Sequence, residues 1–371
     1  MGCNNSTVLD DVKEKNLYSQ VSLGPYSLKN RVAMAAMTRM RADPKSGIPN
    51  EWFVKYYTER AEDAAFVLTE CLAVTPNGEG FPGNAQLFNE EQANGWKKVV
   101  DSVHKANGKI FAQLYHCGRA TNEEKINGGK IVGASNVKNR DEGMGQPEEL
   151  SIPEIKDIVK AFGKSAELAS KAGFDGVEVH AANGYLVDQF LKDATNNRTD
   201  EYGGSIENRC KFLLEVVDEV IKVYGNLRVG VKISPLGRYN DMFDSNPLAL
   251  IKHLLPQLNK RKIAFVELMK GGDGEGLYGV KGTDQIKDVV GEARSLLPDV
   301  VLVGNDGYTP EEALKDIQEN RINMVSFAKN YMSNPDLVQR IKNGWKLVDP
   351  DWATAFGGTD KGYCDFPKYQ N

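Results

Sequence analysis

The stretch Gly176-Val-Glu-Val-His-Ala-Ala-Asn-Gly-Tyr-Leu-Val-Asp-Gln-Phe-Leu191 holds a short strand pattern, Val177–Val179, that ends in polar residues and continues into an apolar segment. Among these polar residues, His180 and Asn183 can each donate a neutral hydrogen bond, and Tyr185 is a weak acid with a pKa of about 10. An active site that polarises a carbonyl or nitro oxygen and then delivers one proton needs these three parts. Alone, such a segment is more often a buried structural histidine beside a packing tyrosine, so the rest of the chain decides between the two interpretations.

The alternation of a short strand with a longer amphipathic helix occurs eight times from about residue 30. The predicted strands are Arg31–Met37, Phe66–Val74, Ile110–Leu114, Val177–Val179, Val229–Ile233, Ala264–Leu268, Val300–Val303 and Met324–Phe327. The predicted helices include Asn50–Asp63, Glu90–Ala106, Pro153–Ala172, Ile206–Tyr224, Leu248–Leu258, Asp284–Leu297, Pro310–Glu319 and Pro335–Lys342. Eight strand–helix units with no segment left for a second domain predict an α/β fold, the (β/α)8 TIM barrel.

Two segments do not fit this alternation. Residues 17–30, with Gly24-Pro25 near their middle, predict an N-terminal hairpin that closes the bottom of the barrel. Residues 118–150, after the third strand, are too long for an ordinary loop and predict an insertion that caps the catalytic face. We therefore expect a flexible N-terminal segment at residues 1–16 and a single barrel domain at residues 17–371.

Composition excludes several classes of protein. The 371 residues carry 46 basic and 51 acidic side chains, a mild net charge of −5 without the basic stripe of a nucleic-acid binder. The five cysteines are scattered, with no C-x-x-C pair. This argues for a reducing compartment and against a structural zinc or an iron–sulfur cluster, so no metal site is predicted. No apolar run approaches the ~18 residues that a membrane span needs.

The first residues, Met1-Gly2-Cys3-Asn4-Asn5-Ser6, fit the M-G-x-x-x-[ST] pattern of N-myristoylation. One myristoyl chain binds membranes only marginally, so Cys3 would serve as a second acylation site beside Gly2. The alternative is a chance match. We expect a cytoplasmic protein that is tethered to a membrane only if its N-terminus is acylated.

A G-x-G-x-x-G pattern occurs at Gly274-Glu275-Gly276-Leu277-Tyr278-Gly279. In a dinucleotide-binding fingerprint the glycines open the following helix, but here the predicted helix begins only after Thr283. A mobile loop over the barrel mouth is the better interpretation. Any redox cofactor must therefore be held by the barrel itself.

Polar residues collect at the ends of the predicted strands, where barrel enzymes place their chemistry. These residues are Thr38, Glu70, Gln113, His116, His180, Lys232, Asn305 and Lys329. By contrast, His104 and His253 lie inside helical patterns and are predicted to be structural. Gly304-Asn305 and Ala328-Lys329 follow strands seven and eight, whose loops commonly bind phosphate through backbone N–H groups.

The chain resembles the old yellow enzyme family of FMN-dependent ene-reductases nearly from end to end. The motifs that carry the resemblance are Met37-Thr38-Arg39, Gln113-Leu114-Tyr115-His116, His180…Asn183…Tyr185, Arg198-Thr199-Asp200-Glu201-Tyr202-Gly203-Gly204-Ser205, Ser333-Asn334-Pro335-Asp336-Leu337 and the terminal Gly362-Tyr363-Cys364-Asp365-Phe366-Pro367. The resemblance implies one FMN-binding barrel that oxidises NADPH or NADH and reduces the activated C=C bond of α,β-unsaturated carbonyl compounds in ping-pong order.

The resemblance also implies a role for each residue. Flavin contacts would come from Thr38 at O4, Gln113 at the pyrimidine edge, Lys232 at the N1–O2 edge, backbone near Ala36, Met37 and Cys71, and Gly304, Asn305, Ala328 and Lys329 at the phosphate. His180 and Asn183 would hold the substrate oxygen, and Tyr185 would protonate the α-carbon after hydride reaches the β-carbon. Tyr115 and Tyr363 would line the substrate pocket.

The chain departs from the family pattern at four of these positions. Lys232 and Lys329 stand where arginines are usual, Ala36 replaces a common proline, and Tyr115 replaces a tryptophan. Lysine keeps the charge but loses the planar bidentate fork of arginine. Our hypothesis is that FMN is held less tightly while positive charge still stabilises the reduced, anionic flavin.

Several alternatives remain open at this point. The acceptor could instead be a nitro compound, a quinone or a prostaglandin-type endoperoxide reduced at the same site. A flavin-binding barrel without catalysis is a further alternative, although both Tyr185 and His180 are present. The expected partner is a small electrophilic alkene or related acceptor, with no nucleic acid, and the protein is expected to be a monomer or a homodimer.

Overall fold

The computed structural model describes residues 15–126, 129–271 and 276–370. Gly2, Cys3 and Gly274, and nearly all of the predicted flexible segment, lie outside the described residues. The strands are Val21–Leu23 (β1), Tyr26–Leu28 (β2), Val32–Met34 (β3), Val67–Ala73 (β4), Ile110–Tyr115 (β5), Val132–Gly133 (β6), Glu148–Glu149 (β7), Gly176–Ala181 (β8), Val229–Ile233 (β9), Phe265–Met269 (β10), Val301–Asn305 (β11) and Met324–Phe327 (β12).

Helices follow each strand of the barrel. The helices are Glu51–Ala61 (α1), Glu90–Lys105 (α2), Ile152–Ala172 (α3), Leu186–Leu191 (α4), Ile206–Tyr224 (α5), Pro247–Lys260 (α6), Gly282–Gln285 (α7), Val289–Leu296 (α8), Pro310–Gln318 (α9), Lys329–Ser333 (α10) and Leu337–Asn343 (α11). Parallel pairing joins β3, β4, β5, β8, β9, β10, β11 and β12 into a closed barrel. The predicted (β/α)8 barrel is confirmed.

Most predicted helices agree with the structure to within two residues at each end, and two of the differences have a clear physical cause. The single helix expected at Asp284–Leu297 is divided into α7 and α8, because Ile286 has an extended backbone (φ −137°, ψ 112°) and Asp288 caps a new helix through the Gly291 N–H. The last helix begins at Leu337, not at Pro335. The Asn334 side chain instead donates to the Asn330 carbonyl at 2.8 Å, and so ends α10.

The predicted hairpin is present as the antiparallel pair β1–β2 and closes the bottom of the barrel. Leu23 and Leu28 pack against Phe111 and Phe265, which point into the barrel near the N-terminal ends of their strands. A Cβ on Gly176 or Gly230 would lie under 2.5 Å from these two rings. Because both strands carry glycine there, the two rings can fill the lower part of the barrel.

The insertion at residues 118–150 contains the short pair β6–β7. Arg119 donates from Nη2 to the carbonyls of Asn240 (3.1 Å) and Asp241 (2.8 Å), and Arg140 makes a bidentate ion pair with Asp241. The insertion therefore packs against the loop that follows β9, on the face of the barrel where the strands end. Within the three described ranges, no helix is long and apolar enough to cross a membrane.

Candidate active site

A cavity of about 460 Å³ opens at the C-terminal ends of the barrel strands. Its lining residues are Ala36, Met37, Thr38, Met40, Cys71, Phe81, Gln113, His180, Asn183, Tyr185, Lys232, Tyr239 and Phe356. Nine of the residues predicted from the sequence are among them. The strand-end rule explains this convergence, since most of these residues follow or end a barrel strand.

The segment from β8 into α4 positions the three polar groups of the opening stretch. His180 lies near the end of β8, Asn183 occupies a left-handed turn (φ 59°), and Tyr185 directly precedes α4. The rings of His180 and Tyr185 meet edge to face, with their centroids 5.1 Å apart. The turn therefore brings all three side chains to the same wall of the cavity.

Protonation states follow from burial at this wall. Burial, together with the positive charge of Lys232, holds the pKa of His180 well below its usual value, so the imidazole is neutral. Its Nδ1 atom has no hydrogen-bond partner among the described residues. Burial also raises the pKa of Tyr185 well above its usual value, which keeps the phenol protonated.

Charged side chains form a layer beneath the cavity. The Lys232 ammonium lies 3.3 Å from Glu267 Oε2, and Gln113 donates from Nε2 to Glu178 Oε1 at 2.7 Å. Burial disfavours the charged form of Lys232, but Glu267 and Glu178 outweigh it and raise the lysine pKa. Burial and the neighbouring Glu267 carboxylate raise the pKa of Glu178. The cavity floor therefore presents one stable cation, Lys232, beside the Gln113 amide.

The thiol of Cys71 also faces the cavity. It donates to Gln113 Oε1 at 3.0 Å and is hydrogen-bonded by the side chain of Thr38. Burial raises the pKa of Cys71 to about 12. A thiol that stays protonated is a poor nucleophile, so Cys71 serves here as a lining group.

The four residues predicted to bind phosphate lie apart from this cavity. Asn305 ends β11 and donates from Nδ2 to Ser326 Oγ at 2.8 Å, while Lys329 begins α10 after the neighbouring strand β12. The Lys329 side chain is 56% exposed, and its ammonium lies 4.0 Å from Asp349. Gly304 and Ala328 precede these two residues along the chain, so the four lie at the ends of adjacent strands.

The structure does not place Tyr115 and Tyr363 in the lining of the cavity. Tyr115 lies one layer behind, where its hydroxyl donates to Asn84, and its ring contacts Tyr185 at a centroid distance of 5.1 Å. Tyr363 is fully buried and stacks on Tyr56, with ring centroids 4.1 Å apart. Packing among aromatic and arginine side chains thus holds Tyr363 in the core, contrary to the prediction for both tyrosines.

Four lining residues were not predicted, namely Met40, Phe81, Tyr239 and Phe356. Tyr239 (62% exposed) and Phe356 (52% exposed) are large apolar groups at the mouth of the cavity. Tyr239 follows the end of β9, a position that the strand-end rule could have singled out. Phe356 lies in the C-terminal segment, and no local signal in the sequence distinguishes it from Tyr363.

A larger cleft of about 590 Å³ follows the ends of β10 and β11. Most of its charged groups are already paired, since Arg321 bonds both Asp288 and Asp316, and Lys270 lies 3.3 Å from Glu312. The smaller cavity is the better candidate active site, because it brings His180, Asn183 and Tyr185 together and the His180 Nδ1 atom has no partner among the described residues.

Comparison with known proteins identifies the family. Residues 16–347 match the family described as NADH:flavin oxidoreductase / NADH oxidase. The solved structure of the old yellow enzyme from Trypanosoma cruzi is 36% identical with a TM-score of 0.89, and the match covers 96% of this chain and 99% of that one. The chain belongs to the old yellow enzyme family.

Two further relatives are similar over nearly their whole length. A probable flavin mononucleotide-dependent alkene reductase of Leishmania infantum is 38% identical, over 93% of this chain and 95% of the relative. Morphinone reductase is 33% identical with a TM-score of 0.90, over 97% and 98% of the two chains. The protein is therefore an NAD(P)H-dependent flavin oxidoreductase that uses FMN and a nicotinamide nucleotide.

The residues of the cavity floor fit FMN. The Gln113 amide and the Thr38 hydroxyl offer donors and acceptors of the kind that a flavin pyrimidine ring needs, and Lys232 offers a buried cation. Apolar and small side chains, such as Ala36, Met37 and Cys71, complete the lining. This mixture of a few polar groups in an apolar cavity is typical of cofactor sites.

Proposed function

We propose that this old yellow enzyme is an ene-reductase, which reduces the activated C=C bond of small α,β-unsaturated carbonyl compounds. NAD(P)H and the alkene would occupy the same site in turn, in a ping-pong cycle. The observation that carries the proposal is the convergence of two neutral donors, His180 and Asn183, with a protonated phenol, Tyr185, in one cavity.

His180 and Asn183 would bind the carbonyl oxygen of the acceptor. Negative charge develops on this oxygen during reduction, and two preorganised neutral donors stabilise it by about 2–4 kcal/mol each. Neutral donors also avoid an uncompensated buried charge before the substrate arrives. The depressed pKa of His180, caused by burial and Lys232, supports this role because it keeps the imidazole neutral.

Tyr185 would donate the proton that completes the reduction. Its hydroxyl has no protein partner in the part of the chain that the structure describes, and the side chain lines the cavity. Since burial raises its pKa, the phenol keeps its proton until charge develops on the substrate. We assign this proton to the α-carbon of the alkene.

FMN, when bound, supplies the hydride that the β-carbon accepts. We propose that Ala36, Met37 and Cys71 line its ring, that Thr38, Gln113 and Lys232 bind its pyrimidine edge, and that Gly304, Asn305, Ala328 and Lys329 bind its phosphate. The position of the last four at the ends of β11 and β12 supports this division, because barrels commonly bind phosphate there.

The substitution Tyr185→Phe tests the proposal when the two half-reactions are measured separately by anaerobic rapid mixing. We expect flavin reduction by NADPH to be unchanged and reoxidation by cyclohexenone to slow by about 10²-fold or more, since a general acid contributes that much. Tyr331→Phe is the matched control, because Tyr331 is also buried, its hydroxyl has no partner within the described ranges, and it does not line the cavity. Equal losses in both half-reactions would refute the role of Tyr185.

A further inference from the structure

The turn that carries Asn183 has a backbone that needs support. Asn183 (φ 59°) and Gly184 (φ 74°) are consecutive residues in the left-handed region. A non-glycine residue in this region costs energy and persists only where its surroundings hold it in place. Since Asn183 would bind the substrate oxygen, the groups that hold this turn also set the geometry of the site.

One carboxylate oxygen, Asp188 Oδ2, accepts the hydrogen bonds that hold this turn in place. The Gly184 N–H donates to Asp188 Oδ2 at 2.9 Å, and the Ser234 hydroxyl donates to the same oxygen at 3.4 Å. The Asn183 N–H in turn donates to Ser234 Oγ at 3.0 Å. Both N–H groups of the turn are therefore connected, directly or through one hydroxyl, to Asp188.

Lys192 completes this network from one turn of helix further on. Its ammonium lies 3.4 Å from Asp188 Oδ2 and donates to the carbonyls of Ser234 (2.8 Å) and Gly237 (3.2 Å). The side chains of Lys192 and Asp188 are only 1% and 2% exposed. A buried ion pair is costly unless its hydrogen bonds are satisfied, and here the ammonium has three acceptors.

The three acceptors of Lys192 belong to two segments beside the cavity, helix α4 and the loop after β9. Asp188 supports the turn of Asn183, Ser234 follows β9 just after Lys232, and Gly237 begins the loop that carries Tyr239. Lys192 itself does not line the cavity. We propose that Lys192 is a positioning residue for the acceptor, which fixes Asn183 through Asp188 and Ser234 and fixes Tyr239 through Gly237. This inference rests on the proposed ene-reductase function.

The test compares Lys192→Met with the double variant Asp188→Asn/Lys192→Met. The single variant leaves a buried carboxylate without its cation, so it loses both stability and positioning. The double variant removes the unpaired charge, and the asparagine side chain is isosteric with that of the aspartate it replaces. We therefore expect the melting temperature of the double variant to recover towards that of the wild type, while its KM for cyclohexenone stays raised on the order of tenfold, as misplacement of a binding group predicts.

Asp336 and Arg340 provide a matched control. They form a buried ion pair with the same i, i+4 spacing, and Arg340 also donates to two backbone carbonyls, those of Lys346 and Pro367. These residues do not line the cavity. The double variant Asp336→Asn/Arg340→Met should lower the melting temperature and leave the KM for cyclohexenone unchanged.

Two results would overturn the inference. One is recovery of KM together with the melting temperature in the double variant at Asp188 and Lys192. The other is an equal rise of KM in the control pair.

A third variant, Asn183→Ala, separates this inference from the proposed function. If Asn183→Ala leaves the KM unchanged, the assignment of Asn183 itself fails; if it raises the KM while Lys192→Met does not, only the inference about Lys192 fails.

Discussion

At the scale of single residues, burial decides which form of each side chain the cavity presents. It keeps His180 neutral, Tyr185 protonated and the Cys71 thiol intact, whereas Lys232 stays cationic because Glu267 and Glu178 surround it. The wall of the cavity therefore offers neutral donors, and the floor offers the cation. This separation suits a substrate that becomes negative only during the reaction.

The buried side chain of Tyr363 can be tested by a single substitution. Its ring is fully buried, and its hydroxyl has no hydrogen-bond partner among the described residues. Because an unpaired buried hydroxyl is costly, Tyr363→Phe should leave the free energy of unfolding unchanged or raise it by about 1 kcal/mol. The KM for cyclohexenone should not change. Urea unfolding and steady-state kinetics test both expectations.

Phe356→Ala is the comparison for that experiment, since Phe356 does line the cavity. The Phe356→Ala variant should have a raised KM for cyclohexenone. A rise of similar size in Tyr363→Phe would show that Tyr363 contacts the substrate after all.

At the scale of elements, the hairpin depends on one close approach of two backbone segments. Gly24 has a left-handed backbone (φ +54°), and a Cβ added there would lie 1.9 Å from the carbonyl oxygen of Leu227, in the segment that enters β9. Gly24→Ala should therefore lower the free energy of unfolding by about 2–4 kcal/mol, through strain and a backbone clash.

Gly143→Ala is the control, because Gly143 is also left-handed (φ +74°) but has open space around its Cβ position. Gly143→Ala should lower the free energy of unfolding by about 1 kcal/mol, because it adds backbone strain without a clash. Urea unfolding of both variants measures the difference. Equal losses would mean that a Cβ at position 24 does not clash with the Leu227 carbonyl.

The elements themselves were largely predictable. Strands β9 and β12 and helix α5 have the predicted bounds, since each strand is a short, mostly apolar segment between polar residues and an amphipathic helix has a clear period. The division between α7 and α8 was not predictable, because it depends on the extended backbone of Ile286. Likewise, the burial of Tyr363 depends on contacts with Tyr56 and Arg39, which are distant in the sequence.

At the scale of the whole molecule, buried carboxyl groups make stability depend on pH. Burial raises the pKa of Glu70 to about 8, from about 4.5 in the unfolded chain. The folded state therefore binds this proton more tightly than the unfolded state does. Its contribution to stability is present below pH 4.5 and is lost as the pH rises through about 8.

The substitution Glu70→Gln should remove this contribution. The wild type should lose up to about 1.4 kcal/mol per pH unit from this group between its two pKa values, and the variant should lose less. Urea unfolding at about pH 5.5 and about pH 8.5 measures the two slopes, with the exposed Glu124→Gln as control. Identical slopes in the wild type and Glu70→Gln would contradict the burial of an uncharged Glu70.

At the same scale, the sequence indicates the strand ends of the site but not its rim. The barrel geometry brings strand ends together, so residues as distant as Thr38, Gln113, His180 and Lys232 line one cavity, while their roles toward FMN and substrate stay a prediction. The rim of the cavity comes from loops, such as those of Tyr239 and Phe356, whose paths are set by tertiary contacts and not by any period in the sequence.

We propose that one cavity passes electrons from NAD(P)H to an activated alkene. An anaerobic visible spectrum of the purified protein with FMN, recorded after NADPH and again after cyclohexenone, tests it most directly. We expect the oxidised flavin band to be bleached by NADPH and restored by the enone. A band that NADPH bleaches but cyclohexenone does not restore, or no flavin band after reconstitution with FMN, would contradict it.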